Sequence, residues 1–97
     1  MITEIAEIEV KAGSEEAFIA GVESVKSVFH RAPGCHGVEL QRSIEHPQLF
    51  LLLVQWETVA HHTEQFRNSP DFELWRQAVG SYFAASPKVQ HASVVVS

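Results

Sequence analysis

The sequence predicts an α+β fold: a four-stranded antiparallel sheet with helices on one face, in the order β-α-β-β-α-β. Three observations carry this reading. Apolar residues alternate at period two near the start and in the middle of the chain. Two other stretches repeat apolar residues at helical spacing. Short segments rich in Gly, Pro, Ser and Asp separate the runs.

Residues 2–10, ITEIAEIEV, alternate. Ile2, Ala6, Ile8 and Val10 share one face, which Glu4 interrupts, and Thr3, Ile5, Glu7 and Glu9 share the other. KAGS then turns the chain. Ser14 is placed to cap a helix, with Glu15 and Glu16 in the first turn, where carboxylates suit the helix dipole. Phe18, Val22, Val25 and Phe29 form its apolar stripe, and Pro33 in RAPGC ends it.

Residues 35–44 alternate again. His36, Val38, Leu40 and Ile44 fall on one side with Arg42; Cys35, Gly37, Glu39, Gln41 and Ser43 fall on the other. The turn EHPQ, residues 45–48, joins this run to LFLLLVQW, residues 49–56, so the two form a hairpin. Thr58 is placed to cap a short helix on which Val59, His62 and Phe66 share a face. NSPDF restarts the helix: Ser69 caps, Pro70 takes the first helical position and Asp71 follows. Phe72, Trp75, Val79 and Phe83 make the stripe, which Pro87 ends, and residues 88–96 read as the last strand. The order is ferredoxin-like. With no linker and no internal repeat, residues 1–97 are expected to form a single domain.

The run LFLLLV has one consequence beyond the fold. Leu49, Leu51 and Leu53 lie on one side of the strand, and Phe50, Leu52, Val54 and Trp56 on the other. Helices on one face of a sheet bury only one of these sets. The loops are too short to cover the second set, which would stand as a large apolar patch on a monomer. Packing of two copies sheet against sheet is the expected solution.

Composition narrows the function. Apolar residues make up 45% of the chain, charged residues 20%, and the net charge is −5, so a phosphate backbone is an unfavourable partner. No run of apolar residues approaches a membrane span, and MITEIAEIEV lacks the basic and apolar regions of a signal peptide, so cytoplasmic residence is the expectation. The one cysteine, Cys35, cannot form an internal disulfide. No Ser-His-Asp order, P-loop or GxGxxG is present. The histidines show no metal-ligand spacing, and His61 and His62 diverge on a helix, so no metal is expected.

Residues 56–91 carry a specific resemblance. Trp56, Glu57 and Thr58 end a strand; His62 and Thr63, Phe66, Arg67 and Ser69, Trp75 and Arg76, and Pro87, Val89 and His91 follow. This pattern resembles the antibiotic biosynthesis monooxygenase domain family, and the length and element order of the whole chain agree with it. The resemblance implies a dimeric α+β barrel with a pocket in each subunit between sheet and helices. It implies a cofactor-independent monooxygenase that oxidises a small phenolic, anthrone-like or quinol aromatic with molecular oxygen. Haem-degrading relatives use an Asn on the first strand and a Trp and a His on the second helical region. Ala6, Phe66 and Arg76 stand near those positions, so haem chemistry is not expected here.

Such oxygenation needs a deprotonated substrate, a dry pocket and groups that meet the substrate's oxygen. His62 is the first candidate for the proton acceptor, since it shares the inward face of its helix with Phe66; the competing reading is a histidine that fixes helix to sheet. Trp56, Phe66, Phe72, Trp75, Arg76 and Tyr82 are the candidate substrate-binding residues. For the aromatic residues, core packing is the competing reading. For Arg76 it is a surface ion pair with Glu73 or another carboxylate. Arg42 is expected to meet a carboxylate across the subunit interface, His61 to face solvent, and Cys35 to be a small buried residue. Two other functions fit the same pattern: a non-catalytic small-molecule-binding or stress-related dimer, and a structural dimer with a filled interior.

Overall fold

A computed structural model describes residues 1–97. Strand β1 spans Ile2–Glu9, β2 Cys35–Arg42, β3 Leu49–Trp56 and β4 Lys88–Ala92. Helix α1 spans Glu15–Val25, α2 Ser27–His30 and α3 Pro70–Val79. The strands lie in the order β2-β3-β1-β4, and every neighbouring pair is antiparallel. All helices cover one face. The molecule measures 35 × 34 × 19 Å, and the short dimension is that of two packed layers, each about 10 Å.

The inner face of the sheet follows the alternation of the sequence. Glu4, Ala6 and Ile8 of β1 and Phe50, Leu52, Val54 and Trp56 of β3 are buried against Phe18, Val22, Val25, Val28, Phe29, Trp75 and Val79 of the helices. Each large apolar side chain so buried contributes about 1.5–3 kcal/mol. The outer face carries Ile5, Leu49, Leu51 and Leu53, all half-buried, with no element of the chain above them.

Several local readings change. Ser14 precedes α1 but its hydroxyl makes no capping bond; the Glu15 carboxylate instead accepts the Gly13 N–H at 2.7 Å. The first helix breaks at Lys26, leaving Phe29 on α2. At Ser69 the cap forms as read, its Oγ accepting the N–H of Phe72 at 3.3 Å. A bulge at the start of β2 places Cys35 opposite Trp56 and Gly37 opposite Gln55. That extra residue turns Cys35 toward the core and leaves His36 exposed, the reverse of simple alternation. Arg42 donates to the Pro47 carbonyl at 2.7 Å, lies 3.4 Å from Glu16 and stands over the Phe50 ring.

Helix α3 stops at Val79, and Gly80–Tyr82 form a 3₁₀ turn. Phe83 is therefore extended and bridges to Val10 rather than continuing the helical stripe. Strand β4 ends at Ala92, which pairs with Thr3 of β1. Val94, Val95 and Val96 are exposed beyond it.

Candidate functional site

The segment after β3 sets the geometry. Thr58 Oγ1 accepts the N–H of His61 at 3.3 Å, so it caps the turn as read. Residues His61–Phe66 then form a π-helical turn, closed by Arg67 N–H donating to the His62 carbonyl at 3.1 Å. The wider turn brings His62 and Phe66 inward together and leaves Val59 exposed, unlike the α-helical spacing that grouped all three. His61 is half-buried rather than solvent-facing; its ring lies over Gly34 and its Nδ1 is 2.8 Å from Thr58 Oγ1.

Four side chains meet at the inner face. Trp56 ends β3 opposite Ile2, two residues from Glu4 on the same face. Its Nε1 donates to Glu4 Oε1 at 3.0 Å. His62 Nε2 lies 3.3 Å from the same oxygen. His62 Nδ1 lies 2.8 Å from Nε2 of His91, the residue opposite Glu4 across the β1–β4 ladder. The His62 ring stacks on the Trp56 indole. Glu4 and His62 are the only buried polar or charged residues in the molecule, 5% and 2% exposed.

Burial governs their ionisation. It pushes the His62 imidazole down to about 4, helped by the Arg67 charge and by His91. His62 is therefore neutral at neutral pH. Burial raises the Glu4 carboxyl above its ordinary value, while the Trp56 N–H and Arg67 act in the opposite direction. With Glu4 ionised, the carboxylate only accepts; the hydrogen on His62 then sits on Nε2, and Nδ1 accepts from His91 Nε2–H.

Glu4 and His62 of this cluster line a cavity of about 340 Å³ between the sheet and α3. Ala6, Ile8, Leu52, Phe72, Trp75, Phe83 and Val89 give it apolar walls; Glu4, His62, Arg67 and Arg76 supply its charge and polarity. A concavity of about 320 Å³ between α1 and β2 is lined by exposed Glu23, Lys26 and Glu39 and holds no buried ionisable group. The cavity under α3 has the apolar lining and convergent polar groups of a small-molecule site.

The candidate residues are divided by this geometry. His62, Phe72, Trp75 and Arg76 line the cavity. Trp56 and Phe66 lie behind its wall, fully packed, and Tyr82 lies on the α1 side near Gly21. The Arg76 side chain pairs with neither Glu73 nor any other carboxylate, and Arg67 is likewise unpaired. Glu4 is not among the residues the sequence places at the site. Its signal was present: a carboxylate in mid-strand on an apolar face requires a buried partner.

A profile of the antibiotic biosynthesis monooxygenase family matches residues 1–78. The chain belongs to the antibiotic biosynthesis monooxygenase family. Glu4, Trp56, His62, Arg67 and Arg76 fall within the matched span, and His91 lies beyond it. The chain is 52% identical to a structurally solved candidate antibiotic biosynthesis monooxygenase from Bordetella bronchiseptica, with a TM-score of 0.96 over 98% of this chain and 97% of that one. The uncharacterised protein YczJ of Bacillus subtilis strain 168 is 30% identical, over 94% of this chain and 96% of its own. SnoaB of Streptomyces nogalater, described as a cofactor-independent oxygenase, is 14% identical and shares the fold, with a TM-score of 0.82 over 99% of this chain and 94% of that one.

Proposed function

We propose that this family member is a cofactor-independent monooxygenase, and that it oxidises a small phenolic, anthrone-like or quinol aromatic with molecular oxygen in the cavity under α3. The observation that carries the reading is the cavity itself: apolar walls fit a flat aromatic, and a buried carboxylate and imidazole line it. The fold also hosts a described cofactor-independent oxygenase, SnoaB.

For an anthrone the chemistry balances without an external reductant. A base takes one proton from the methylene carbon, leaving an enolate. The enolate gives one electron to oxygen, and the resulting radicals join as a peroxide on that carbon. Loss of the second methylene proton breaks the O–O bond, leaving a carbonyl and releasing water. The substrate supplies all the electrons, and its two methylene hydrogens leave in the water. Arg67 and Arg76, at the cavity and free of carboxylate partners, suit the negative charge that develops on the substrate's oxygen. Phe72 and Trp75 offer flat walls that exclude water from the enolate.

The free outer face supports assembly as a pair. Ile5, Leu49, Leu51 and Leu53 would be covered by the same face of a second copy, closing a two-sheet barrel.

Oxygen uptake with 1,8-dihydroxyanthrone, using metal-stripped and flavin-free protein, tests the enzyme reading. Uptake above the uncatalysed rate, with quinone formed, supports it. Tight binding of the probe without uptake would favour the non-catalytic binding protein.

A further inference from the structure

We propose that the proton acceptor of this site is Glu4 rather than His62, and that His62 and His91 are positioning residues that hold Glu4 ready. The assignment rests on the oxygenase reading for its substrate but stands on separate geometry. Both ring nitrogens of His62 are already engaged, Nε2 with Glu4 and Nδ1 with His91. No lone pair of His62 is free to face a substrate in the cavity. Glu4 differs in this respect. Its Oε1 takes both Trp56 and His62, whereas Oε2 has no partner. Every fully enclosed side-chain nitrogen or oxygen in the molecule has a hydrogen-bond partner. Oε2 therefore borders open space, and the space Glu4 borders is the cavity.

The arrangement is an acid–base chain with its base at the inner end. His91 donates to His62, His62 donates to Glu4 Oε1, and Oε2 is left to accept. Glu4 sits in mid-strand with β3 and β4 on either side, so the carboxylate is held by backbone on both flanks. Burial holds its proton affinity above that of an ordinary carboxylate, in the direction a base for a weakly acidic C–H or phenol requires. The groups that face it are Trp56 on β3, Cys35 on β2, His62 and Arg67 around the π-helical turn, His91 on β4 and Arg76 on α3. Desolvation opposes its ionised form; the Trp56 N–H and the Arg67 charge favour it. The reaction releases no net proton, so an enclosed base suffices: the proton taken from carbon returns to a peroxide oxygen.

The test separates proton transfer from oxygenation. Under argon, deuterium exchange at the methylene carbon of 1,8-dihydroxyanthrone reports proton abstraction alone; oxygen uptake with the same probe reports the full reaction. In Glu4→Gln, which keeps the shape and an oxygen for Trp56, catalysed exchange should fall at least about 100-fold. Glu4→Asp should retain part of it, and circular dichroism should confirm that both variants fold. His62→Asn should lower exchange less than Glu4→Gln does and move its pH dependence upward, because the carboxylate loses a donor. His62→Gln, which restores an N–H at that reach, should move it back. Exchange lost in Glu4→Gln supports the assignment even if the wild type consumes no oxygen, an outcome that would overturn only the oxygenase reading. Equal exchange in the wild type and Glu4→Gln, with oxygen uptake intact, would overturn the assignment and leave the enzyme reading standing. Wild-type protein that catalyses neither exchange nor uptake would overturn both.

Discussion

Trp56 and His62 stack with ring centroids 5.5 Å apart and planes 14° from parallel, and their N–H edges converge on one oxygen of Glu4. The strand end and the π-helical turn are thus joined through a buried carboxylate rather than through apolar contact alone. Trp56→Phe keeps a ring in place but removes one of the two donors to Glu4. The expected cost is about 1–3 kcal/mol, the range for depriving a buried polar group of a partner. Urea unfolding of the variant against the wild type measures it.

The depressed His62 value has a definite sign in stability. In the folded chain the imidazole protonates near 4, against an ordinary 6.5. Between those values the unfolded chain binds a proton that the folded chain refuses. Stability contributed by His62 is therefore present above 6.5 and is lost as pH falls to 4, by up to about 3 kcal/mol. Glu4 acts with the opposite sign: its raised value makes the folded chain hold a proton longer, so its contribution falls as pH rises past 4.5. Comparing unfolding free energies of the wild type and His62→Gln at several pH values isolates the first term. The variant should lose less stability between pH 6.5 and pH 4.

Arg76 reaches the cavity with no carboxylate partner. Arg76→Met keeps the chain's apolar stem and removes the charge. Steady-state oxygen uptake should show kcat/KM reduced about 10- to 100-fold, mainly through kcat if the guanidinium meets the developing anion. A change confined to KM would assign it to binding alone.

Gly34 adopts φ of 78°, and a Cβ there would run into the ring of His61. Its carbonyl also accepts the N–H of Glu57 at 2.8 Å, tying the turn before β2 to the end of β3. Gly34→Ala meets both backbone strain and a clash. It should lower stability by about 1–3 kcal/mol, read as a fall in Tm by calorimetry. Gly13, with φ of 90° and open space around it, should suffer from the backbone strain only, and so less.

Leu53 lies on the outer face between Ile5 and Glu39 and makes no part of the core. Leu53→Asp should leave the fold intact by circular dichroism while converting a pair of chains to single chains in sedimentation at micromolar concentration. Wild-type protein that sediments as a single chain would contradict the pairing.

The alternation of β1 and β3 made the two-layer fold legible, because a period of two leaves little freedom in which face is buried. Ser69-Pro70 fixed the start of α3 for a similar reason: its capping chemistry is local. Two of the misread stretches are those where one extra residue enters a regular element. The bulge at Cys35–Gly37 and the π-helical turn at His61–Phe66 both shift register, and no periodicity announces them. The candidate site was half legible. His62, Phe72, Trp75 and Arg76 lie on the expected faces. Glu4 and His91 are separated from His62 by 58 and 29 residues in sequence, and only the β1–β4 pairing brings them together.

Mass spectrometry of the product formed from 1,8-dihydroxyanthrone under isotopically labelled oxygen is the most direct test of the proposed activity. With metal-stripped, flavin-free protein, the quinone should carry one labelled oxygen atom per molecule, and labelled water should account for the other. Quinone without label, or no quinone above the uncatalysed background, would contradict a monooxygenase reaction in the cavity beneath α3.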